Sequence, residues 1–218
     1  MTDLDDERRF APAASRNRAP IYEVLAPWLP AAGTILEIGC GTGEHAVFIA
    51  PRRPGLRWQP TDPEPAARRS VDAWARHVSA VNIAPAIELD AAAPAWPSAA
   101  VDGIVAILAI NVIHISPWST CLGIFAGAAR SGASLVFLYG PYKVDGAHTA
   151  PSNAGFDDDL RARDPRWGVR DRGEVAAVAD AAGFDLVEVA AMPANNFTLV
   201  FRRRAVEPVE KDRSPGTG

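Results

Sequence analysis

The sequence predicts a doubly wound α/β domain, a mostly parallel sheet with helices on both faces. Three observations lead there. Short apolar runs alternate with segments of helical periodicity along most of the chain. One run, Gly103 to Ile110, is continuously apolar, as suits a strand buried on both faces of a parallel sheet. Another, Thr34 to Ile38, runs straight into a loop with Gly39, Gly41 and Gly43 at every second position. Glycine has no Cβ and tolerates positive φ, so such a loop brings backbone close to a ligand.

Taken in order, residues 1–20 are charged and carry Pro12 and Pro20, which reads as an arm with little regular structure. A helix is expected from near Pro20, with Ile21, Val24, Leu25 and Trp28 on one face, ended by Pro27 and Pro30. The first strand is Thr34 to Ile38. The helix after the glycine loop carries Ala46, Val47, Ile49 and Ala50 until Pro51 stops it, and its first N–H groups are expected to point at the loop's ligand. The second strand, Leu56 to Gln59, closes on Asp62, which fits the N-cap of a helix entered through Pro63 and Pro65. Val71, Trp74 and Val78 give that helix its apolar face.

A third strand, Ala86 to Leu89, ends at Asp90. The fourth, Gly103 to Ile110, precedes a helix with Leu122, Phe125, Ala126 and Ala129. The fifth, Ser134 to Tyr139, is broken by Gly140-Pro141. Residues 140–172 read as a long polar insert, of the length that in compact domains is functional or disordered. A helix from Glu174 to Ala182 stops at Gly183. Strands Leu186 to Ala190 and Phe197 to Phe201 close a single domain over residues 1–202, and residues 203–218 read as a flexible, solvated tail.

Composition narrows the function. With 218 residues and 48% hydrophobic side chains, the chain can bury the core of one α/β domain. Its net charge of −4 and the lack of a basic block beyond Arg202-Arg203-Arg204 argue against a nucleic-acid partner. The longest apolar stretch, Val101 to Ile115, is interrupted by Asp102, Asn111 and His114, so no membrane span is expected. Asp3, Asp5, Asp6 and Glu7 make no signal peptide. Cys40 and Cys121 are too few for a disulfide framework, which suits a reducing, cytoplasmic location.

Ligands of doubly wound sheets lie beyond the carboxyl ends of the strands. Glu37, Asp62, Asp90 and Asn111 all fall at or just past such an end, on the rim of one crevice. The glycine order is acid-x-G-x-G-x-G, with Glu37 first. A dinucleotide fingerprint reads G-x-G-x-x-G instead, which disfavours a nicotinamide oxidoreductase. The pattern resembles motif I of class I S-adenosylmethionine-dependent methyltransferases. On that resemblance Asp62 accepts both ribose hydroxyls, Asp90 takes the adenine amine, and Glu37 either orients the glycine loop or holds the methionyl ammonium through water. Each acid also has a purely structural reading: a helix cap for Asp62, a solvated loop acid for Asp90. Cys40 has no paired base and reads as a small filler. His45, His77, His114 and His148 lack metal-ligand spacing. His114 follows the central strand, where it is either a base for a substrate hydroxyl or amine, or a buried histidine bonded to backbone.

Longer stretches are more specific. They are Arg8-Arg9-Phe10-Ala11-Pro12-Ala13-Ala14 with Arg16-Asn17-Arg18, Gly41-Thr42-Gly43-Glu44-His45, and Trp58-Gln59-Pro60-Thr61-Asp62. Asn111 with Ile113-His114-Ile115, Leu138-Tyr139-Gly140-Pro141, and Ser152-Asn153 with Phe156-Asp157 follow. Asp164-Pro165-Arg166-Trp167-Gly168 with Arg170-Asp171, and Ala194-Asn195-Asn196, complete the set. Together, over roughly residues 8–202, the chain resembles a poorly characterised methyltransferase family formerly known only as a domain of unknown function. Its animal member is called methyltransferase-like protein 26. Gly39-Cys40 stands where that family often has Ala-Ser, a change between small residues. The resemblance implies a Rossmann-like, seven-stranded class I methyltransferase fold and S-adenosyl-L-methionine as cofactor. Cofactor contacts are expected from Glu37, Gly39, Gly41, Gly43, Asp62, Asp90, Asn111 and Asn17, with Arg9 and Arg18 near the cofactor carboxylate. Substrate contacts are expected from Asn153, Trp167, Asn195 and Asn196. His114 is the first expected catalytic base, with Tyr142 and Asp157 behind it.

The expected activity is methyl transfer to a small molecule. The alternative is a protein that binds the cofactor without methylating, as an elimination or cyclisation catalyst or a partner subunit.

Overall fold

A computed structural model describes residues 7–205. In chain order its elements are α1 (Pro12–Leu25), β1 (Gly33–Ile38), α2 (Glu44–Ile49), β2 (Leu56–Thr61), α3 (Pro65–His77), β3 (Ile104–Ile110) and α4 (Trp118–Ser131). There follow β4 (Leu135–Gly140), β5 (Tyr142–Val144), β6 (Ala147–His148), α5 (Pro151–Arg163), β7 (Arg170–Asp171), α6 (Arg172–Ala181), β8 (Phe184–Met192) and β9 (Asn196–Arg203).

The main sheet has the order β2-β1-β3-β4-β9-β8. The first four strands are parallel, and β9 is antiparallel to both β4 and β8. Successive strand residues feed opposite layers, as a pleat requires. Ile35 and Leu108 pack with Ile21, Leu25 and Val71 of α1 and α3. Leu36 and Ile107 pack with Ile124, Phe125 and Val175 of α4 and α6. The chain leaves β1 toward β2 on one side and β3 lies on the other, so the switch point of the sheet falls at the ends of β1 and β3.

The main sheet therefore has six strands where seven were expected. Residues 82–87 do follow the free edge of β2. Trp58 N–H donates to Asn82 at 2.8 Å, and Ala84 N–H donates back to Trp58 at 2.8 Å. The next rung needs a donor from Pro60, which has none. Beyond it, the Asp72 carboxylate takes the N–H of Ala86 at 2.9 Å. One isolated bridge, at Ile87, is what remains of the expected strand, and a second, at Ile83, precedes it.

Four further expectations are corrected. The first helix starts at Pro12 and carries Pro20 inside it, because the Glu44 carboxylate accepts from Ala11 N–H at 2.6 Å and from Ser15 Oγ at 3.0 Å across its first turn. Glu64, not Asp62, is the N-cap of α3. The insert at 140–172 is built, not a loop: β5, β6 and β7 form a three-stranded sheet beside α5. The expected tail also begins too early. Arg203 belongs to β9 and its guanidinium donates to the carbonyls of Ala128, Ala129 and Ala133. Residues 1–6 and 206–218 lie outside the described residues. Among those described, no helix is long and apolar enough to cross a membrane.

Candidate functional site

The glycine loop leaves β1 with φ of +68° at Gly39, +54° at Gly41 and +89° at Gly43. Space as well as conformation requires glycine at two of them. A Cβ on Gly39 would lie 2.7 Å from Val112 Cγ2, and one on Gly43 would lie 2.6 Å from the backbone Cα of Val71. Gly41, by contrast, meets nothing within 4 Å and faces open space. The helix α2 behind the loop has only six residues, so the loop and its neighbours shape the site, not a long helix dipole.

Asp62 is the loop's partner. Its Oδ2 accepts from Gly41 N–H at 3.0 Å and its Oδ1 from Glu64 N–H at 2.9 Å. An ionised carboxylate has about four lone-pair sites, so roughly two stay free for a ligand. Gly39, Gly41 and Asp62 line a crevice of about 500 Å³. Its other walls include Leu89, Asp90 and Trp167. Asp90 is exposed there, with Oδ1 accepting from Ala92 N–H at 2.9 Å.

The remaining residues of the expected cofactor set do not line this crevice. Glu37 is buried beneath it and accepts from Trp58 Nε1–H at 2.8 Å, tying β1 to β2. Burial pushes its carboxyl up from 4.5 to about 7, against the Trp58 hydrogen bond and with help from the negative charge of Asp62. Gly43 packs on Val71 of α3. Asn111 takes a left-handed turn at φ +61° and donates its N–H to the Tyr139 carbonyl at 2.7 Å. Asn17 Oδ1 meets His45 Nε2 at 2.8 Å, and burial holds that histidine down at about 4. Arg18 lies over the Phe48 ring, and Arg9 pairs with Glu64 at 3.3 Å. Burial raises the Cys40 thiol far above its ordinary range, which fits a filler.

Glu44 has a role that its local sequence does not announce. Besides the first turn of α1 it accepts from Thr42 Oγ1 at 3.0 Å. Ser70 adds a second tie, accepting from Arg9 N–H and donating to the Thr42 carbonyl, both at 2.8 Å. The arm is thereby fastened to the glycine loop. The only signal was the position of Glu44 in the Gly41-to-His45 stretch, because its partners are remote in sequence.

The expected catalytic trio sits behind the crevice, not on it. His114 and Tyr142 are completely buried, with rings 4.9 Å apart edge to face. Burial keeps the Tyr142 hydroxyl well above its ordinary value, hence protonated. Burial, then the charge of Arg170, pushes His114 down to about 3, hence neutral near pH 7. The Asp157 carboxylate takes Lys143 Nζ at 2.8 Å, His148 Nε2 at 3.3 Å, Arg161 Nε at 3.1 Å and Val169 N–H at 2.7 Å. Burial alone would raise it, but these donors outweigh burial and hold it below its ordinary value. A carboxylate so occupied is a poor base and a good brace.

Of the expected substrate set, only Trp167 reaches the crevice. Asn153 is buried and donates to Thr149 Oγ1 and the Asn195 carbonyl. Asn195 donates to Ser152, and Asn196 to the carbonyls of Pro193 and Ala194. Asn153 and Asn195 stitch α5 to the turn before β9, and Asn196 closes that turn on itself.

The chain matches the model of a family described as "Protein of unknown function (DUF938)" over residues 8–203. Its fold is similar to solved methyltransferases at low sequence identity. The mitomycin 7-O-methyltransferase MmcR superposes with a TM-score of 0.71 at 19% identity, over 87% of this chain and 55% of that one. Human N-acetylserotonin methyltransferase, solved with S-adenosylmethionine, gives 0.69 at 14%, over 88% and 53%. Magnesium protoporphyrin IX methyltransferase from Synechocystis PCC 6803, solved with S-adenosylhomocysteine, gives 0.67 at 13%, over 94% and 89%. The chain thus spans little more than half the length of the first two. At these identities the likeness establishes the fold: an α/β domain with the mostly parallel sheet of methyltransferases.

Proposed function

We propose that this chain, which belongs to the DUF938 family, is an S-adenosylmethionine-dependent methyltransferase acting on a small-molecule acceptor. The proposal includes the narrower kinship with the methyltransferase-like protein 26 group and takes residues 1–202 as one catalytic domain. One observation carries it. Asp62 is held at the crevice by two backbone N–H groups while keeping acceptor capacity, beside a Gly41 that offers no side chain. That is the chemistry a ribose diol needs: paired acceptors next to backbone that a ligand can approach. Asp90 stands on the same crevice as an acceptor for an exocyclic amine. The crevice volume of about 500 Å³ falls in the range of small-ligand sites.

When bound, the cofactor supplies an already activated sulfonium methyl. The residues here have to bind, orient and exclude water. Trp167 and the turns around it close the outer side of the crevice, and Asp62 fixes the inner one. The acidic net charge of −4 supports a small acceptor over a nucleic acid.

The test is a transfer assay with methyl-labelled S-adenosylmethionine and fractionated metabolite extract. The expected outcome is label in a small molecule with one S-adenosylhomocysteine released per label. Consumption of the cofactor without label transfer would sink the proposal in favour of elimination or cyclisation.

A further inference from the structure

His114 sits in a position that a substrate base would not need. Its backbone carbonyl accepts from Gly168 N–H at 2.9 Å, and its ring Nδ1 accepts from Arg170 N–H at 3.3 Å. Between those two, Val169 N–H goes to Asp157 Oδ1 at 2.7 Å. Three consecutive amides of one segment are thus held from behind. The same segment, residues 164–170, turns outward through Asp164, Arg166 and Trp167, which line the crevice. Arg170 locks the other side: Nε donates to the Ile113 carbonyl at 3.0 Å, and one terminal nitrogen donates to the carbonyls of Ser116 and Arg166, each at 2.7 Å.

The ring leaves little room for anything else. A neutral imidazole that accepts at Nδ1 carries its proton on Nε2. That Nε2 is buried without a hydrogen-bond partner. It faces Gly140, where an added Cβ would come within 2.4 Å of it. A base must reach the proton it removes, within hydrogen-bond distance or through one water. No atom of His114 is among the groups that line the crevice.

We propose that His114 is a positioning residue: it clamps the strap of residues 164–170 as the outer wall of the crevice and takes no proton from the substrate. The consequence for binding rests on the reading of the crevice as the cofactor site; the clamp itself does not. A loosened strap populates states without the wall, and affinity falls by the fraction of competent molecules.

Two variants separate the roles. His114→Asn places an amide oxygen near the position of Nδ1, can accept from Arg170 N–H, and cannot act as a base. His114→Ala removes the acceptor. Hydrogen exchange at the Gly168 and Arg170 amides is measured in both and in the native chain, together with calorimetric binding of S-adenosylhomocysteine. His114→Ala is expected to speed exchange and weaken binding about tenfold, the effect of one lost hydrogen bond of ordinary strength. His114→Asn is expected to restore the Arg170 amide and bring binding back to within about twofold of native. An Arg170 amide that stays protected in His114→Ala, or a His114→Asn variant as loose as His114→Ala, would overturn the clamp. If His114→Ala does not fold, native-like exchange and binding in His114→Asn support the clamp and loosened amides refute it. Failure of the native protein to bind S-adenosylhomocysteine would remove the cofactor reading, and the exchange comparison would still decide the clamp.

Discussion

At the scale of single residues, burial sets which acids and bases are free to act. Glu37 lies within a residue of the glycine loop, yet its carboxylate serves Trp58. Its carboxyl is raised from 4.5 to about 7, so the folded state holds a proton that the unfolded chain releases. Its contribution to stability is therefore full below pH 4.5 and is lost as pH rises toward 7. Trp58→Phe removes the indole donor that steadies the ionised form. Urea unfolding at two pH values should show Trp58→Phe destabilised by about 2 kcal/mol more at pH 8 than at pH 5. Equal losses at both would mean that Trp58 acts through packing alone. The sequence placed Asp62 at the crevice, because strand ends are marked by local composition, but Glu37, expected on the same rim, is buried beneath it. It did not separate their roles, since the partner of Glu37 is a side chain on the neighbouring strand.

At the scale of elements, legibility follows the range of the forces involved. The apolar run of β3 and the glycine loop were readable because each is specified within a few residues. The third strand was not, because its failure arises in pairing: Pro60 lacks the donor for the next rung and Asp72 captures Ala86. The start of α1 was hidden for the same reason, resting on Glu44 more than thirty positions later in the chain. The insert hid its order because its strands are two or three residues long and are braced by Asp157. That brace gathers Lys143, His148 and Arg161 with the Val169 amide, of which only Arg161, an i,i+4 partner on α5, is tied to Asp157 by helical spacing. Asp157→Asn should therefore loosen α5 and the strap together, by about 3 kcal/mol for a broken buried ion pair. Native-state hydrogen exchange at Val169 reads this directly, and unchanged protection would show that α5 is held by something else.

At the scale of the whole molecule, the arm and the insert converge on the carboxyl end of the parallel strands. The arm reaches the glycine loop through Glu44 and Ser70, and the insert reaches the loop after β3 through His114 and Arg170. Both outlying segments thus brace the loops after β1 and β3, and Asp62, just past β2, lines the same crevice. The central claim is that this crevice holds a nucleoside with a ribose diol on Asp62. The measurement that tests it most directly is isothermal titration with S-adenosylmethionine and S-adenosylhomocysteine, on the native chain and on Asp62→Ala with its fold checked by circular dichroism. The account predicts micromolar binding to the native chain and a loss on the order of a hundredfold in the variant, the effect of two charge-assisted hydrogen bonds. No binding to the native chain, or equal binding to the folded variant, would contradict it.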